Sequence, residues 1–142
     1  MFNSITNIKV RYAETDKMGI VYHSNYYIYF EVAREDFIKA AGIEYRDMED
    51  MGIMMPLVET RCKYHEGAKY ADELIIETSL KELSPIKVVL KYNVIRKYDN
   101  KIIAEGETIQ AFVDKNSFKI VNLRKKYTDI WNKISVFKWN EW

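Results

Sequence analysis

The segment that most restricts the fold of this chain runs from Asn25 to Ala41, because apolar side chains cover more than one of its faces. Apolar residues at alternating spacings of four and three line one face of an α-helix. The residues with this spacing are Tyr26, Phe30, Ala33, Phe37 and Ala40. Further bulky residues lie on the opposite flank, namely Tyr27, Ile28, Val32 and Ile38. A helix that is apolar around most of its circumference has to be covered by other elements, so we expect this one to lie inside a wrapping layer.

The rest of the chain supplies strands for that layer. Residues alternate between apolar and polar from Ile5 to Tyr12, and again in several series between Leu57 and about Val121, which is the period-2 pattern of half-buried strands. The series are separated by turn-forming residues at Ser84-Pro85, Asp99-Asn100 and Lys115-Asn116. Together with Gly42, a residue suited to end the helix, this pattern predicts a strand, a long helix and then an antiparallel meander of about five strands.

The C-terminal part of the chain returns to helical spacing. An amphipathic helix is predicted from Leu123, Tyr127, Ile130 and Ile134, followed by an apolar end that includes Val136–Trp139 and Trp142. For a chain of 142 residues, we expect a single α+β domain over 1–142, with a core over about 5–122 and a helical tail over 123–142.

Composition excludes several classes of function. The 22 Lys and Arg residues nearly balance the 21 Asp and Glu residues, and a formal net charge of +1 argues against nucleic-acid binding. One cysteine and two histidines exclude an intrachain disulfide and argue against a structural zinc site. No apolar run approaches the roughly 18 residues of a membrane span, so we expect no integral membrane association and a cytoplasmic location.

The segment directly before the helix combines two features that can support chemistry. The start of a helix presents unpaired backbone N–H groups that can polarise a carbonyl or hold a developing oxyanion. Asp16, in the turn that leads to it, offers a carboxylate that could act as a nucleophile or as a general base. An aspartate at such a position can equally be a structural turn-former, and spacing alone does not separate the two.

The motif in this segment is long and ordered. Its first part reads Glu-Thr-Asp-x-x-Gly-x-Val-Tyr-His-x-Asn-Tyr over 14–26, and its second part reads Phe-Glu-x-x-Arg over 30–34. This run resembles the signature of the 4-hydroxybenzoyl-CoA thioesterase-like, hotdog-fold acyl-CoA thioesterases, and most closely the short bacterial branch that includes the Tol-Pal-associated enzymes. The similarity covers roughly 5–123. It implies an α+β hotdog fold, in which a long central helix is wrapped by a curved antiparallel sheet of five to six strands.

The resemblance also implies an activity and its central residues. The chain is expected to hydrolyse a small to medium acyl-CoA to the free acid and CoA. Asp16 matches the family's catalytic carboxylate, and His23 matches the position whose backbone N–H polarises the thioester carbonyl, with an imidazole that could also orient water or substrate. Gly19 matches the glycine that lets the backbone approach the substrate.

Five further residues of the motif are candidates for the site. Tyr22 and Tyr26 are expected near the substrate, although both could be packing residues, and Asn25 is more readily explained as a helix cap than as a substrate contact. Glu31 and Arg34 have the spacing of an ion pair on one helix face. That pair could be purely structural, or it could help to position the site or a dimer contact.

Other polar residues carry weaker expectations. His65 is interpreted as an exposed histidine at a strand end, and Cys62 as a small apolar strand residue. Basic residues that could contact the phosphates of CoA, or simply be solvated, are Lys63, Lys69, Lys81, Lys87, Lys91 and Arg124-Lys125-Lys126. The turn over 83–87 lacks the paired basic residues expected in the hydroxybenzoyl enzyme, which leaves both the phosphate ligands and an aryl substrate open.

The last expectations concern the oligomeric state of the protein and the functions that compete with acyl-CoA hydrolysis. The resemblance implies a homodimer, and we expect a dimer of dimers, with neither a metal ion nor a prosthetic group required. The alternatives are an acyl carrier protein thioester as substrate, a non-hydrolytic acyl-binding module, and a hotdog dehydratase, which the Thr-Asp-x-x-Gly pattern over 15–19 disfavours.

Overall fold

The computed structural model describes residues 2–139 and shows an α+β domain built on a five-stranded antiparallel sheet. The strands are β1 (Ser4–Lys9), β2 (Ile53–Met54), β3 (Leu57–Tyr64), β4 (Glu73–Leu83), β5 (Lys87–Arg96), β6 (Lys101–Ala111) and β7 (Val113–Asp114). The helices are α1 (Asn25–Ala40), α2 (Tyr45–Asp50), α3 (Leu123–Lys126) and α4 (Thr128–Trp139). The order across the sheet is β1-β4-β5-β6-β3, and β2 pairs separately with β7.

The predicted meander is only partly right. Strands β4, β5 and β6 follow one another as neighbours, but β3 pairs with β6 at one edge of the sheet and β1 pairs with β4 at the other. The segment 65–72 therefore crosses from one edge of the sheet to the far side of the meander. Alternation along a strand shows which residues face the core, but it does not specify the partner strand, and so the sequence did not reveal this crossing.

The first strand is shorter than predicted. β1 ends at Lys9, and Tyr12–Glu14 form a 3₁₀ turn in which Thr15 N donates to Tyr12 O at 3.1 Å. The predicted alternation holds within β1, because Thr6 is buried and Ile5 is 48% exposed. The prediction is wrong beyond Val10, where the chain leaves the sheet and Glu14 N and Thr15 N donate within the turn, to Arg11 O and Tyr12 O.

Helix α1 packs its predicted face on the sheet, although its cover within one chain is incomplete. Its buried residues are Tyr26, Tyr29, Phe30, Ala33, Phe37 and Ile38. The ring of Phe30 stacks on Tyr92 with a centroid distance of 4.5 Å and lies over Gly106, where an added Cβ would clash with the ring. Ile28 and Val32, by contrast, are 52% and 40% exposed. The expectation that most of the circumference is covered holds for Ile38, which is buried, but Ile28 and Val32 contradict it within a single chain.

The two ends of α1 differ in how well they were predicted. Gly42 has a φ of +81° and donates to Lys39 O at 2.9 Å, while Ile43 N donates to Ile38 O at 3.2 Å. This is the Schellman arrangement that ends a helix, as predicted. At the other end Asn25 is not a cap, because its Nδ2 donates to Glu14 O at 2.8 Å and so ties the helix to the preceding turn.

The C-terminal segment is helical, as predicted, but it consists of two helices that meet at Tyr127. Leu123, Ile130 and Ile134 are buried, and the ring of Phe137 lies 5.0 Å from that of Phe37 on α1. The segment therefore packs on the core. The predicted contribution of Trp142 to an apolar end falls outside the described residues.

Candidate active site

The loop between β1 and α1 is a compact turn that backbone hydrogen bonds hold in place. Asp16 N donates to Ile20 O at 2.8 Å, and Gly19 N donates to Asp16 O at 3.0 Å. Gly19 has a φ of +79°, a region that strains any residue with a Cβ. Val21 N donates to Ala68 O at 2.8 Å, which attaches the loop to the crossing segment. These hydrogen bonds hold the loop in one conformation and so fix the position of Asp16.

Asp16 is half-buried and is held through only one of its carboxylate oxygens. Its Oδ1 accepts a hydrogen bond from Met18 N at 2.8 Å and a longer one from Ile20 N at 3.4 Å. Its Oδ2 accepts no hydrogen bond from any residue between 2 and 139. The carboxylate is therefore oriented by the backbone while one oxygen is left available for a reacting group.

Glu14 links the loop to the helix and was not recognised as important from the sequence. Its Oε1 accepts hydrogen bonds from Arg11 N at 2.8 Å and from the Tyr29 hydroxyl at 3.0 Å. Burial raises the pKa of Glu14, but the bonds from Arg11 and Tyr29 outweigh it and hold that pKa below its ordinary value. The signal was present in the sequence, because Glu14 belongs to the motif and lies three residues from Arg11.

The start of α1 presents free backbone donors beside this loop. In the part of the chain that the structure describes, neither His23 N nor Ser24 N has an acceptor. The carbonyl of His23 accepts a hydrogen bond from the Tyr64 hydroxyl at 3.1 Å and a weaker one from Tyr26 N at 3.4 Å. The imidazole of His23 is exposed, and its ring centroid lies 4.3 Å from that of Tyr22.

A cleft of about 300 Å³ joins the loop, the helix start and the end of β3. It is lined by Asp16, Met18, Ile20, Val21, His23, Tyr26, Tyr64, His65, Glu66 and Gly67. Three of the predicted site residues, Asp16, His23 and Tyr26, thus line one space. The other three candidates for substrate contact, Gly19, Tyr22 and Asn25, lie beside the cleft and not in its lining.

The two predicted tyrosines have different environments. Tyr26 is only 2% exposed, and burial raises its pKa to about 12, so its hydroxyl is neutral at physiological pH. Its ring packs edge-on against Tyr29 and Tyr64. Tyr22 is 47% exposed. Tyr26 therefore forms part of the cleft wall, whereas Tyr22 is a surface residue that packs against His23.

The sequence did not indicate that His65 belongs to the cleft. Its Nε2 lies 2.8 Å from Glu105 Oε2 on β6, and its side chain is 38% exposed. The hydrogen bond to His65 lowers the pKa of Glu105 below its ordinary value. His65 does follow the end of β3, as predicted, but it also lines the cleft with Asp16. Only the pairing of β3 with β6 brings Glu105 to it.

The predicted ion pair between Glu31 and Arg34 does not form; among residues 2–139 no ion pair joins them. Glu31 is exposed, whereas Arg34 turns inward, beside the hydroxyls of Tyr45 and Tyr92. Burial raises the pKa of both tyrosines, and the guanidinium group partly offsets this. Arg34 therefore interacts with buried phenols beneath α1, at a site separate from the cleft.

The remaining polar candidates show no assembled ligand site. Lys81 contacts Glu107 at 2.8 Å, Lys87 contacts Glu82 at 3.7 Å and Lys126 contacts Asp114 at 4.0 Å, so three of the proposed phosphate ligands are engaged in ion pairs. Burial raises the pKa of the Cys62 thiol to about 11, which disfavours the thiolate. Within the described range, no three His, Cys, Asp or Glu side chains are grouped so as to hold a metal ion, and no helix could cross a membrane.

Comparison with known proteins adds independent information. The family model described as the thioesterase-like superfamily matches residues 10–130. The Bacillus subtilis protein YneP, provisionally named an acyl-CoA thioesterase, is 36% identical over 129 residues, which cover 91% of this chain and 93% of that protein. The acyl-CoA thioesterase YbgC of Haemophilus influenzae is 26% identical over 121 residues, with 84% and 87% of the two chains covered.

A solved structure is also similar to this chain over most of its length. The crystal structure of a DHNA-CoA thioesterase from Staphylococcus aureus superposes with a TM-score of 0.87 at 33% identity, covering 95% of this chain and 92% of that one. The similarity thus spans the sheet, the helix and the loop with the cleft.

Proposed function

The chain belongs to the thioesterase-like superfamily, and we propose that it is an acyl-CoA thioesterase that hydrolyses small to medium acyl-CoA thioesters to free acid and CoA. One observation carries the proposal at the level of the site: one cleft is lined by both Asp16 and His23, and the N–H of His23, just before α1, has no acceptor among residues 2–139. Thioester hydrolysis needs these two components, a group that attacks or activates water and donors for the oxygen that becomes negative.

The geometry supports two chemical routes. In the first, Asp16 Oδ2 attacks the thioester carbon, the C–S bond breaks to release CoA thiolate, and water then hydrolyses the acyl anhydride. In the second, Asp16 accepts a proton from water while the water oxygen attacks the same carbon; the C–S bond then breaks, and the proton held by Asp16 passes to the departing CoA thiolate. Both routes place the carbonyl oxygen at the N–H groups of His23 and Ser24, where charge develops in the transition state.

Replacing Asp16 with asparagine tests the proposal. The amide oxygen of Asp16→Asn can still accept the hydrogen bonds from Met18 N and Ile20 N, so the loop is expected to keep its shape. Because the variant lacks the carboxylate, we expect hydrolysis of acyl-CoA, measured as free thiol, to fall by about 10² to 10³-fold. Asp50→Asn, at the exposed end of α2, is the matched control.

The results would also separate the competing functions. Wild-type hydrolysis that Asp16→Asn leaves unchanged would mean that Asp16 is only a turn residue. Binding of acyl-CoA without release of thiol by the wild-type protein would favour an acyl-binding module. A much larger kcat/KM with acyl carrier protein thioesters than with CoA thioesters would favour the carrier protein as substrate. A screen of short, medium, long and aromatic acyl groups would identify the acyl preference.

The edge of the sheet supports the proposed dimer. Strand β3 is an edge strand, and edge strands present unpaired N–H and C=O groups to solvent. It also exposes Leu57, Val58 and Tyr64 by 50%, 66% and 43%. We propose that β3 pairs with a second copy and that two dimers associate. A pair formed there would border the cleft, because Tyr64 lines it.

Light scattering tests this assembly. We expect a dimer or tetramer for the wild-type protein, and a shift toward monomer for Val58→Lys, which places a charge on the exposed edge. A stable wild-type monomer at micromolar concentration would contradict the proposal.

Three further expectations remain part of the proposal. The reaction as written uses only side-chain and backbone groups of the chain and water, so we propose that it needs no cofactor. We also propose a cytoplasmic location. Membership of the short bacterial branch that includes the Tol-Pal-associated enzymes is supported by the similarity to YbgC.

A further inference from the structure

Tyr64 connects the sheet to the start of the helix. It is the last residue of β3, it lines the cleft, and its hydroxyl donates to His23 O at 3.1 Å. Its ring packs edge-on against Tyr26 at 5.4 Å and against the His23 imidazole at 6.4 Å. The side chain therefore reaches the backbone at the start of α1, where His23 lines the cleft and the N–H groups of His23 and Ser24 have no acceptor among residues 2–139.

The hydrogen bond acts on a particular peptide group. The carbonyl of His23 and the N–H of Ser24 belong to the same planar peptide unit, and Ser24 N has no acceptor within the described residues. A donor that binds the carbonyl of a peptide limits rotation of its plane and polarises its N–H, because successive hydrogen bonds strengthen one another. The Tyr64 hydroxyl is thus positioned to act on a neighbouring amide donor through the plane of the peptide.

The surroundings keep this hydroxyl in its donating form. Burial, together with the neighbouring Cys62 and Tyr27, raises the pKa of Tyr64 above its ordinary value, so the phenol stays protonated at physiological pH. A phenolic hydroxyl has a single proton to donate. His23 O lies 3.1 Å from the Tyr64 hydroxyl, and the Cys62 thiol and the Tyr27 hydroxyl also lie within hydrogen-bonding reach of it. The phenol keeps its donating form throughout the neutral pH range.

We propose that Tyr64 is a positioning residue for the hydrolysis, whose hydroxyl orients and polarises the His23–Ser24 peptide so that its N–H stabilises the developing oxyanion. The inference rests on the proposed thioesterase function and assigns to β3 a role in the reaction. Because Tyr64 acts through the peptide, its removal is expected to cost less than the loss of a direct oxyanion donor, which lowers rates by about 10² to 10³-fold.

The test is Tyr64→Phe, which removes one oxygen atom and keeps the ring. We expect kcat for acyl-CoA hydrolysis to fall about 5- to 20-fold, the effect of one hydrogen bond that matters in the transition state, with KM nearly unchanged. Tyr98→Phe, in the exposed turn between β5 and β6, is the control for loss of a tyrosine hydroxyl and is expected to match the wild type. Thermal unfolding of each variant checks that the fold is kept.

Two inhibitors distinguish positioning from packing. A trifluoromethyl ketone thioether of CoA can form an oxyanion-like adduct, whereas S-propyl-CoA has no carbonyl at that position. We expect Tyr64→Phe to weaken inhibition by the ketone by the same factor as kcat and to leave inhibition by S-propyl-CoA unchanged. Equal weakening of both inhibitors would assign Tyr64 to general substrate binding and overturn the inference.

The outcomes separate this inference from the proposed function. If the wild-type protein hydrolyses acyl-CoA and Tyr64→Phe does so at the same kcat, the function stands and the role of Tyr64 is wrong. If the wild-type protein hydrolyses no acyl-CoA in the substrate screen, the proposed function fails and the inference fails with it.

Discussion

Two turns of this protein are built around an aspartate in nearly the same way, and one of them, the turn of Asp16, lines the cleft at the helix start. In the first turn Asp16 Oδ1 accepts a hydrogen bond from Met18 N at 2.8 Å. In the second turn Asp114 Oδ1 accepts hydrogen bonds from Asn116 N at 3.0 Å and from Ser117 N at 2.8 Å. Local hydrogen bonding therefore does not distinguish a structural aspartate from a candidate catalytic one.

The surroundings of the two carboxylates do distinguish them. The Oδ2 of Asp114 faces the ammonium group of Lys126 at 4.0 Å, and Ser117 Oγ adds a third donor to Oδ1. The Oδ2 of Asp16 has no partner among residues 2–139, and Asp16 lines the cleft at the helix start. The ammonium group of Lys126 partly offsets the charge of Asp114, whereas Asp16 has no such counter-ion and keeps one oxygen free for chemistry.

The largest expected effect comes from making the same substitution in both turns. Asp16→Asn should abolish nearly all hydrolysis and change thermal stability little. Asp114→Asn should lower the unfolding temperature, because it weakens the contact with Lys126, and should leave kcat/KM within about twofold of the wild type, since surface substitutions away from special features have small effects. Free-thiol assays and thermal unfolding measure the two quantities. Similar activity losses in both variants would remove the distinction between the turns.

An intermediate loss of activity is expected when Glu14 is replaced. Glu14 links the first turn to α1 through its hydrogen bonds from Arg11 N and the Tyr29 hydroxyl. Glu14→Ala leaves the Tyr29 hydroxyl without its acceptor in a buried place, which should destabilise the fold by about 1 to 3 kcal/mol. The loop that carries Asp16 should also become less ordered, and we expect kcat to fall roughly tenfold because small misplacements are costly in catalysis.

Glu107→Ala provides the comparison for this variant. Glu107 pairs with Arg61 at 2.6 Å and with Lys81 at 2.8 Å on a solvated part of the sheet. Surface ion pairs contribute about 0 to 1 kcal/mol, so this variant should be more stable than Glu14→Ala and fully active. Denaturant unfolding and the thiol assay are the measurements, and the prediction is wrong if Glu107→Ala loses as much activity as Glu14→Ala.

The smallest effect concerns acid stability. Backbone N–H groups of Ser117 and Asn116 lower the pKa of Asp114 below its ordinary value of 3.8. For Glu14, the hydrogen bonds from Arg11 and Tyr29 outweigh burial and place its pKa below the ordinary 4.5. A pKa that is lower in the folded state adds stability above the unfolded-state pKa, and that stability is lost as the pH falls through the folded-state value.

The unfolding temperature measured from pH 6 to pH 3 tests this coupling. The wild-type protein should lose stability mainly below about pH 4.5, and the decrease should be shallower in both Glu14→Gln and Asp114→Asn, because neither variant can take up the proton concerned. A parallel decrease in all three proteins would show that other groups control acid unfolding.

Features that lie close together along the chain were predictable. The motif over 14–26 contains both Asp16 and the helix start, so the spacing of the chain alone predicts that the carboxylate and the amide donors lie near each other. The helix periodicity correctly identified a buried face that includes Phe30, and Gly42 marked the helix end. Such features depend on local spacing and local conformational preference, which are properties of the sequence itself.

Features that depend on distant parts of the chain were missed or predicted wrongly. Helical spacing allowed Glu31 and Arg34 to pair, but packing placed Arg34 against Tyr45 and Tyr92 instead. Spacing defines which contacts are within reach, and burial then selects among them. The same reason explains why Asn25, a good cap residue by type, bonds to Glu14 O across the turn.

The sequence by itself thus determined a helix that is apolar on more than one face and needs cover, a series of alternating strands and one acid placed just before the helix. Tertiary structure alone decided that β3 lies next to β6 and that the end of β3 meets the start of α1. That meeting brings Tyr64 and His65 to the cleft. Strand register and the choice of partner strand are set by the packing of the whole sheet. No local pattern within 57–66 indicates which helix will pack near the end of β3.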